Sequence, residues 1–163
     1  MSNPDAPASS LDDLYSKPGH LIRRCQQIAV AIFLEETSGF DVTSVQYAAM
    51  TAISHNPSID ATRLSQLVAF DRSTLGNVLL RLEQKKLIKR TEGVEDRRIK
   101  RIALTKAGHA LLEEIEAAVE RTQTKILEPL SPKEQQIFLE LLTKLVNINN
   151  AYSRAPGAVS QRA

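Results

Sequence analysis

The chain is poor in the residues that staple or anchor many proteins. Among 163 residues there is one cysteine, Cys25, and no tryptophan. A single thiol excludes an intrachain disulfide framework and any multi-cysteine metal site. The histidines, His20, His55 and His109, stand far apart and lack a metal-binding spacing such as His-x-x-x-His. No metal or cofactor is therefore expected. Apolar runs are short: the longest, Ile28 to Leu34, falls well under a membrane span, and no signal-peptide pattern precedes it. A soluble, cytoplasmic protein is the expectation. A nucleophile elbow, a phosphate-binding loop and a convincing acid/base pair are also missing, which leaves an enzyme as the least supported class. Glycine and proline are few, and 42% of the residues are apolar. One ordinary core, in one domain or two closely merged ones, is what such a chain can bury.

What the chain does have is a concentration of positive charge. Between Arg81 and Arg101 nine Lys/Arg stand against four acids, a local balance of +5 in a chain whose total is +2. Phosphates neutralised by such a cluster release condensed counterions, which supplies most non-specific affinity for nucleic acid. A solvated face reads the same way on charge alone, so placement decides.

Residues 1–10, rich in Ser, Pro, Ala and Asn, read as a disordered tail, and 153–163 as a second tail. Pro18 stands where a first helical turn tolerates proline, and a helix follows to about Glu36. At 100° per residue, Leu21, Cys25, Ile28, Ala29 and Ile32 share one face, while Val30, Ala31 and Leu34 occupy another. Between them runs a polar stripe of His20, Arg24 and Gln27. Thr43 and Gln46 have the capping-box spacing and open a helix that Asn56-Pro57 ends. Asp60 caps a helix from Ala61 to Phe70 that buries Leu64, Leu67 and Val68.

After a turn of a residue or two comes a helix with Leu75, Val78, Leu79 and Leu82 inward and Arg72, Ser73, Thr74, Asn77 and Arg81 outward. Short donors and acceptors near a helix N-terminus, with arginines, are what base edges and phosphates require. Ile88–Thr91 and Ile99–Leu104 read as two strands, with Gly93 in the connecting loop. Arg97 and Arg98 at its tip are placed to reach a minor groove. Two readings of Asp96 stand: a partner for a nearby arginine, or a solvated turn residue. From Thr105 a long helix carries Leu111, Leu112, Ile115, Val119, Thr122 and Ile126, and Ser131-Pro132-Lys133-Glu134 opens a last one with Ile137, Phe138, Leu141, Leu142, Leu145 and Val146. These two helices, with the first, make a dimer interface on the simplest reading; intrachain three-helix packing is the other.

The fold expected is mainly α with a small β-hairpin wing: a winged helix-turn-helix over 42–104 merged with a helical dimerisation region over 11–38 and 105–152. Val42-Thr43-Ser44-Val45-Gln46-Tyr47-Ala48, Leu82-Glu83-Gln84-Lys85-Lys86-Leu87-Ile88-Lys89-Arg90, Asp96-Arg97-Arg98 with Leu104-Thr105-Lys106-Ala107-Gly108, and Leu130-Ser131-Pro132-Lys133-Glu134 resemble, in that order, successive blocks of the MarR (multiple antibiotic resistance regulator) family. The resemblance covers roughly residues 15–150. It implies a homodimeric bacterial winged-helix transcription factor, usually a repressor that small phenolic or aromatic ligands release from a palindromic double-stranded operator. Where the family usually has glycine after the recognition helix this chain has Lys86, so a left-handed lysine is expected. Gly76-Asn77 replaces the commoner Thr-Arg pair, and Gly76 gives room for close approach of backbone to DNA.

The segment Tyr15-Ser16-Lys17-Pro18-Gly19-His20-Leu21-Ile22-Arg23-Arg24, continuing to Ala29, is similar to the repressors of nicotinate degradation within that family. That similarity implies a hydroxylated pyridine carboxylate, 6-hydroxynicotinate first, as inducer. A planar aromatic acid needs a cation, a polar partner for its ring substituent and an apolar wall. Arg24, His20 and Tyr47 suit those roles, with Met50 and Ile53 as wall; interface hydrogen bonds and core packing are the plainer roles for the same residues. The alternative regulator is a redox sensor switched through Cys25, since peroxide-sensing members of the family use a first-helix cysteine. Cys25 lies a turn or more later than theirs, on an apolar face where a buried thiol is inert.

Overall fold

The structure, a computed structural model, describes residues 11–93, 99–153 and 155–157. The elements run α1 (Leu11–Ser16), α2 (Pro18–Glu36), α3 (Ser44–His55), β1 (Ile59–Asp60), α4 (Ala61–Val68), α5 (Arg72–Gln84), β2 (Ile88–Glu92), β3 (Lys100–Leu104), α6 (Lys106–Leu127) and α7 (Pro132–Asn149), closed by a 3-10 turn at Asn150–Tyr152. Among the described residues no helix is long and apolar enough to cross a membrane.

Side chains three residues apart set most helix starts. Thr43 and Gln46 form the reciprocal box, Thr43 N donating to Gln46 Oε1 at 3.2 Å and Gln46 N to Thr43 Oγ1 at 3.3 Å. Asp60 accepts from Arg63 N, Asp71 from Thr74 N, Thr105 from Gly108 N and Ser131 from Glu134 N. Each satisfies an amide that the first helical turn leaves without a partner.

The helix ends are as specific. At the end of α5, Leu87 N donates to Leu82 O at 3.0 Å and Lys86 N to Glu83 O at 2.9 Å, a Schellman turn with Lys86 left-handed at φ 59°. The expected left-handed lysine is present where glycine would be the unstrained choice. The helix expected to reach Phe70 stops instead at Val68, because Ala69 turns left-handed at φ 51°. Leu64 is fully buried and Val68 packs against the core, but Leu67 is 39% exposed, since only the i, i+4 seam of so short a helix faces inward.

β1 is an addition to the hairpin expected from sequence. It pairs antiparallel with β3, Ile59 opposite Ile102, while β2 pairs with the other edge, Arg90 opposite Ile102 and Ile88 opposite Leu104. The core is continuous from this sheet through Met50, Ile53, Leu64, Leu75, Leu79 and Leu82 to Phe33 of α2 and Ile115, Ala118 and Val119 of α6. α6 therefore has part of its own chain to cover: it lies along α2, fastened by Arg121 to Glu36 at 3.1 Å and Lys125 to Glu35 at 3.0 Å. α7 buries no residue and leaves Ile137, Phe138, Leu141, Leu142, Leu145 and Val146 exposed.

Candidate nucleic-acid interface and effector site

Asp71 anchors the start of α5. Its carboxylate accepts from Thr74 N at 2.9 Å and from Thr74 Oγ1 at 2.7 Å, and these hydrogen bonds, the amide first, hold its pKa below the usual carboxylate range. Thr74 is half-buried and its hydroxyl proton is committed to the cap, whereas Arg72, Ser73, Asn77 and Arg81 stand exposed on the outer face. Arg97, Arg98 and Asp96 lie outside the described residues. Gly76 is exposed, and nothing lies within 4 Å of where a Cβ would stand.

A groove of about 660 Å³ opens between α4, α5 and the wing, lined by Thr62, Arg63, Gln66, Arg90 and Lys100. A second, of about 460 Å³, continues past Ser65, Arg72 and Gly76, and Arg90 borders both. Glu83 of α5 pairs with Arg90 Nε at 3.1 Å, which holds this wing arginine against the recognition helix. Arg63, Arg90 and Lys100 were not singled out from sequence. The alternation of polar Thr62, Ser65 and Gln66 around buried Leu64 was the signal that the outer side of α4 belongs to the same surface.

At the other end of α5, Lys85 Nζ donates to the Asp41 carbonyl, pairs with Asp41 Oδ1 at 2.9 Å and reaches Gln46 Oε1 at 3.5 Å. Gln46, 2% exposed, is also the closing residue of the α3 capping box. The last turn of the recognition helix is thus tied to the first turn of α3.

The four residues assigned to an effector do not line one cavity within a single chain. Tyr47, tilted 49° against Phe33 with centroids 6.2 Å apart, faces a shallow α3–α4 groove of about 560 Å³ with Thr51, Ala52, His55, Leu67 and Val68. Met50 and Ile53 lie in the core behind it rather than on its wall, because the inner face of α3 is the centre of the helix-turn-helix. His20 is half-buried beside the Tyr15 ring at 5.5 Å, and Arg24 is exposed on α2. Thr51, one turn after Tyr47, was missed: its Oγ1 is buried without a hydrogen-bond partner. Cys25 is exposed, contrary to the burial expected of it, as are its neighbours Leu21 and Ile28 on the same face of α2, which the described residues leave uncovered.

A capped helix presenting polar side chains beside a three-stranded antiparallel sheet with a basic groove defines the DNA-binding winged helix-turn-helix class. Residues 42–100 match the MarR family. Over 134 residues the chain is 30% identical to the transcriptional regulator HosA of Escherichia coli O127:H6, covering 82% of this chain and 98% of that regulator. It is 29% identical over 153 residues to the HTH-type transcriptional repressor NicR of Pseudomonas putida, covering 90% and 96% of the two chains. A solved structure of Bordetella bronchiseptica BpsR, described as the mechanism by which 6-hydroxynicotinic acid regulates its DNA binding, superposes with a TM-score of 0.77 at 29% identity, covering 81% of this chain and 94% of that one. The chain belongs to the MarR family: it is a winged-helix transcriptional regulator and not an enzyme.

Proposed function

We propose that this regulator is a homodimeric repressor that a small hydroxylated aromatic carboxylate, 6-hydroxynicotinate first, releases from a palindromic operator. The observation that carries the DNA reading is the open face of α5, where Arg72, Ser73, Asn77 and Arg81 stand exposed beside the groove of Arg63, Arg90 and Lys100. Asn77 and Ser73 read base edges, Arg72 and Arg81 take guanine or phosphate, and the groove cations with Arg97 and Arg98 engage the backbone. α7 exposes Ile137, Phe138, Leu141, Leu142, Leu145 and Val146 along its length, which monomeric proteins rarely do, and a second copy is the occupant that a two-fold operator calls for.

Dimerisation is also what completes the effector site. Tyr47 and Thr51 line an apolar groove, and Arg24 and His20 are the cation and polar partner brought to it when the helices of two chains interlock. BpsR, whose DNA binding 6-hydroxynicotinic acid regulates, supports the choice of ligand. Release follows if the ligand prefers a recognition-helix spacing that no longer fits half-sites about 34 Å apart, and a coupling of roughly 1–3 kcal/mol suffices.

Calorimetry with 6-hydroxynicotinate, paired with operator titrations, tests both halves. Arg24→Ala is expected to lose ligand binding and induction while keeping operator affinity; an undiminished ligand affinity would place the pocket elsewhere. Asn77→Ala should lower affinity for operator but not for scrambled duplex, by the roughly 1–3 kcal/mol of one good base contact. Equal losses on both duplexes would remove α5 from sequence reading.

A further inference from the structure

Residues 155–157 return to the DNA-binding lobe. After α7 and the 3-10 turn, Asn150 clasps Gly157 in both directions: its Nδ2 donates to Gly157 O and Gly157 N donates to its Oδ1, each at 2.9 Å. Ser153 Oγ accepts from Ala155 N at 3.1 Å inside the loop so closed. Gly157 lies so close to the α4–α5 turn that a Cβ on it would stand 3.1 Å from Ala69 Cβ and 3.6 Å from Gln66 O. Ala155 and Pro156 border a cleft of about 320 Å³ with Ser65, Gln66, Phe70, Asp71 and Arg72.

The turn it touches is strained. Ala69 holds a left-handed conformation, φ 51° and ψ 39°, without being glycine, and such a residue persists only where its surroundings over-determine it. This turn sets the angle between α4 and α5, and Asp71, which caps the recognition helix, stands two residues after Ala69.

We propose that the clasp Asn150–Gly157 is a positioning brace for the recognition helix: by packing on the Ala69 turn it fixes the start of α5 and joins α7 mechanically to the DNA-reading surface. The effect on operator binding rests on the function proposed above; the effect on the turn does not.

The test uses the full chain with Asn150→Ala, which removes both hydrogen bonds, and Gly157→Val, which forces the clasp off Ala69. In DNA-free protein, amide exchange over residues 66–72 is expected to accelerate about tenfold in both variants, while the α6 core amides keep their protection. Against a duplex selected by the wild-type protein, affinity is expected to fall roughly five- to tenfold, with affinity for scrambled duplex within about twofold. Ala69→Gly, which relieves the left-handed strain, is expected to restore most of the loss in the Asn150→Ala background. Unchanged exchange in both variants, faster exchange spread evenly over the molecule, or faster local exchange with no loss of operator preference would each overturn the proposal. A wild-type protein that selects no duplex would instead refute the DNA reading, and the exchange result would still judge the brace.

Discussion

Two glycines in helices, Gly108 and Gly76, should respond to the same substitution in opposite ways. An ideal Cβ at Gly108 would lie 2.2 Å from Leu87 O and 3.2 Å from Leu87 C, both backbone atoms that no rotamer change can withdraw. Leu87 O is already the acceptor for Thr105 N at 3.0 Å, the bond that joins the foot of α6 to the entrance of the wing. Gly108→Ala must therefore displace α6 from the wing by about 1 Å. Overpacking of this kind costs about 1–3 kcal/mol, the weakened hydrogen bond about 1 more, and helix propensity returns at most about 1. The net loss of about 1–3 kcal/mol corresponds to a melting temperature lower by roughly 2–12 °C for a chain of this size. At Gly76 nothing lies within 4 Å, so Gly76→Ala should gain about 1 kcal/mol and raise the melting temperature by roughly 2–4 °C. Its methyl group, however, enters the groove bordered by Arg72 and Arg90, so operator affinity should fall as stability rises. Thermal melts at one fixed protein concentration, followed by operator titrations, check both arms. A Gly108→Ala protein as stable as wild type, or a destabilised Gly76→Ala, would refute the reasoning.

Lys85→Met keeps the stem but releases Asp41 and Gln46; the melting temperature should change little, since a partly exposed pair is worth under about 1 kcal/mol, while the fold-change in operator affinity caused by effector should shrink in titrations. Glu36, Asp71 and Glu134 are all held below the usual carboxylate range, by Arg121, by Thr74 N and by Ser131 respectively, so the unfolded chain binds more protons in acid. Their contribution to stability is present at neutral pH and is lost as pH falls through their lowered values, and Asp71→Asn, which still caps, should flatten that acid limb in melts taken as a function of pH. Deleting Ser131 to Ala163 removes α7 and should convert a dimer into a monomer in sedimentation; a truncated protein that still sediments as a well-folded dimer would place the interface on other helices.

What sequence could reveal was what acts within one turn of chain. The starts at Thr43, Asp60 and Ser131 each depend on a side chain and an amide three residues on, and the inward Leu75, Val78, Leu79 and Leu82 follow from helical period alone. Even the left-handed Lys86 was legible, because the family pattern marks a position that needs φ above zero. Features that depend on distant partners were not. β1 has two residues, too few for an alternation, and exists because β3 offers it an edge. The placement of Met50 in the core, the shared face of α4 and the wing, and the return of Gly157 to Ala69 are all contacts between segments whose spacing carries no local period. Cys25 shows the reverse case: helical period gathers Leu21, Cys25 and Ile28 on one face, but period alone does not say whether that face is covered, and all three are exposed.

Both ends of α5 are fastened to neighbouring elements, and for the proposed effector-released repressor this sets what kind of switch the molecule can be. Its start follows the Ala69 turn and the Asp71 cap; its end is tied through Lys85 to Asp41 and Gln46 of the α3 entrance. Just beyond, Thr105 Oγ1 donates to Lys86 O at 2.7 Å, which fastens the same turn to α6. A displacement of α3 or α6 therefore carries the recognition helix as a rod instead of unwinding it. A helix of 13 residues is about 20 Å long, so a tilt of roughly 5° about one end moves the other by nearly 2 Å. Hydrogen bonds to base edges tolerate only a few tenths of an ångström around 2.9 Å, so a tilt that small removes them. Under the proposed function, the physical requirement on an effector is correspondingly modest: it need only favour, by differential contact, one setting of α3 against α2 over another.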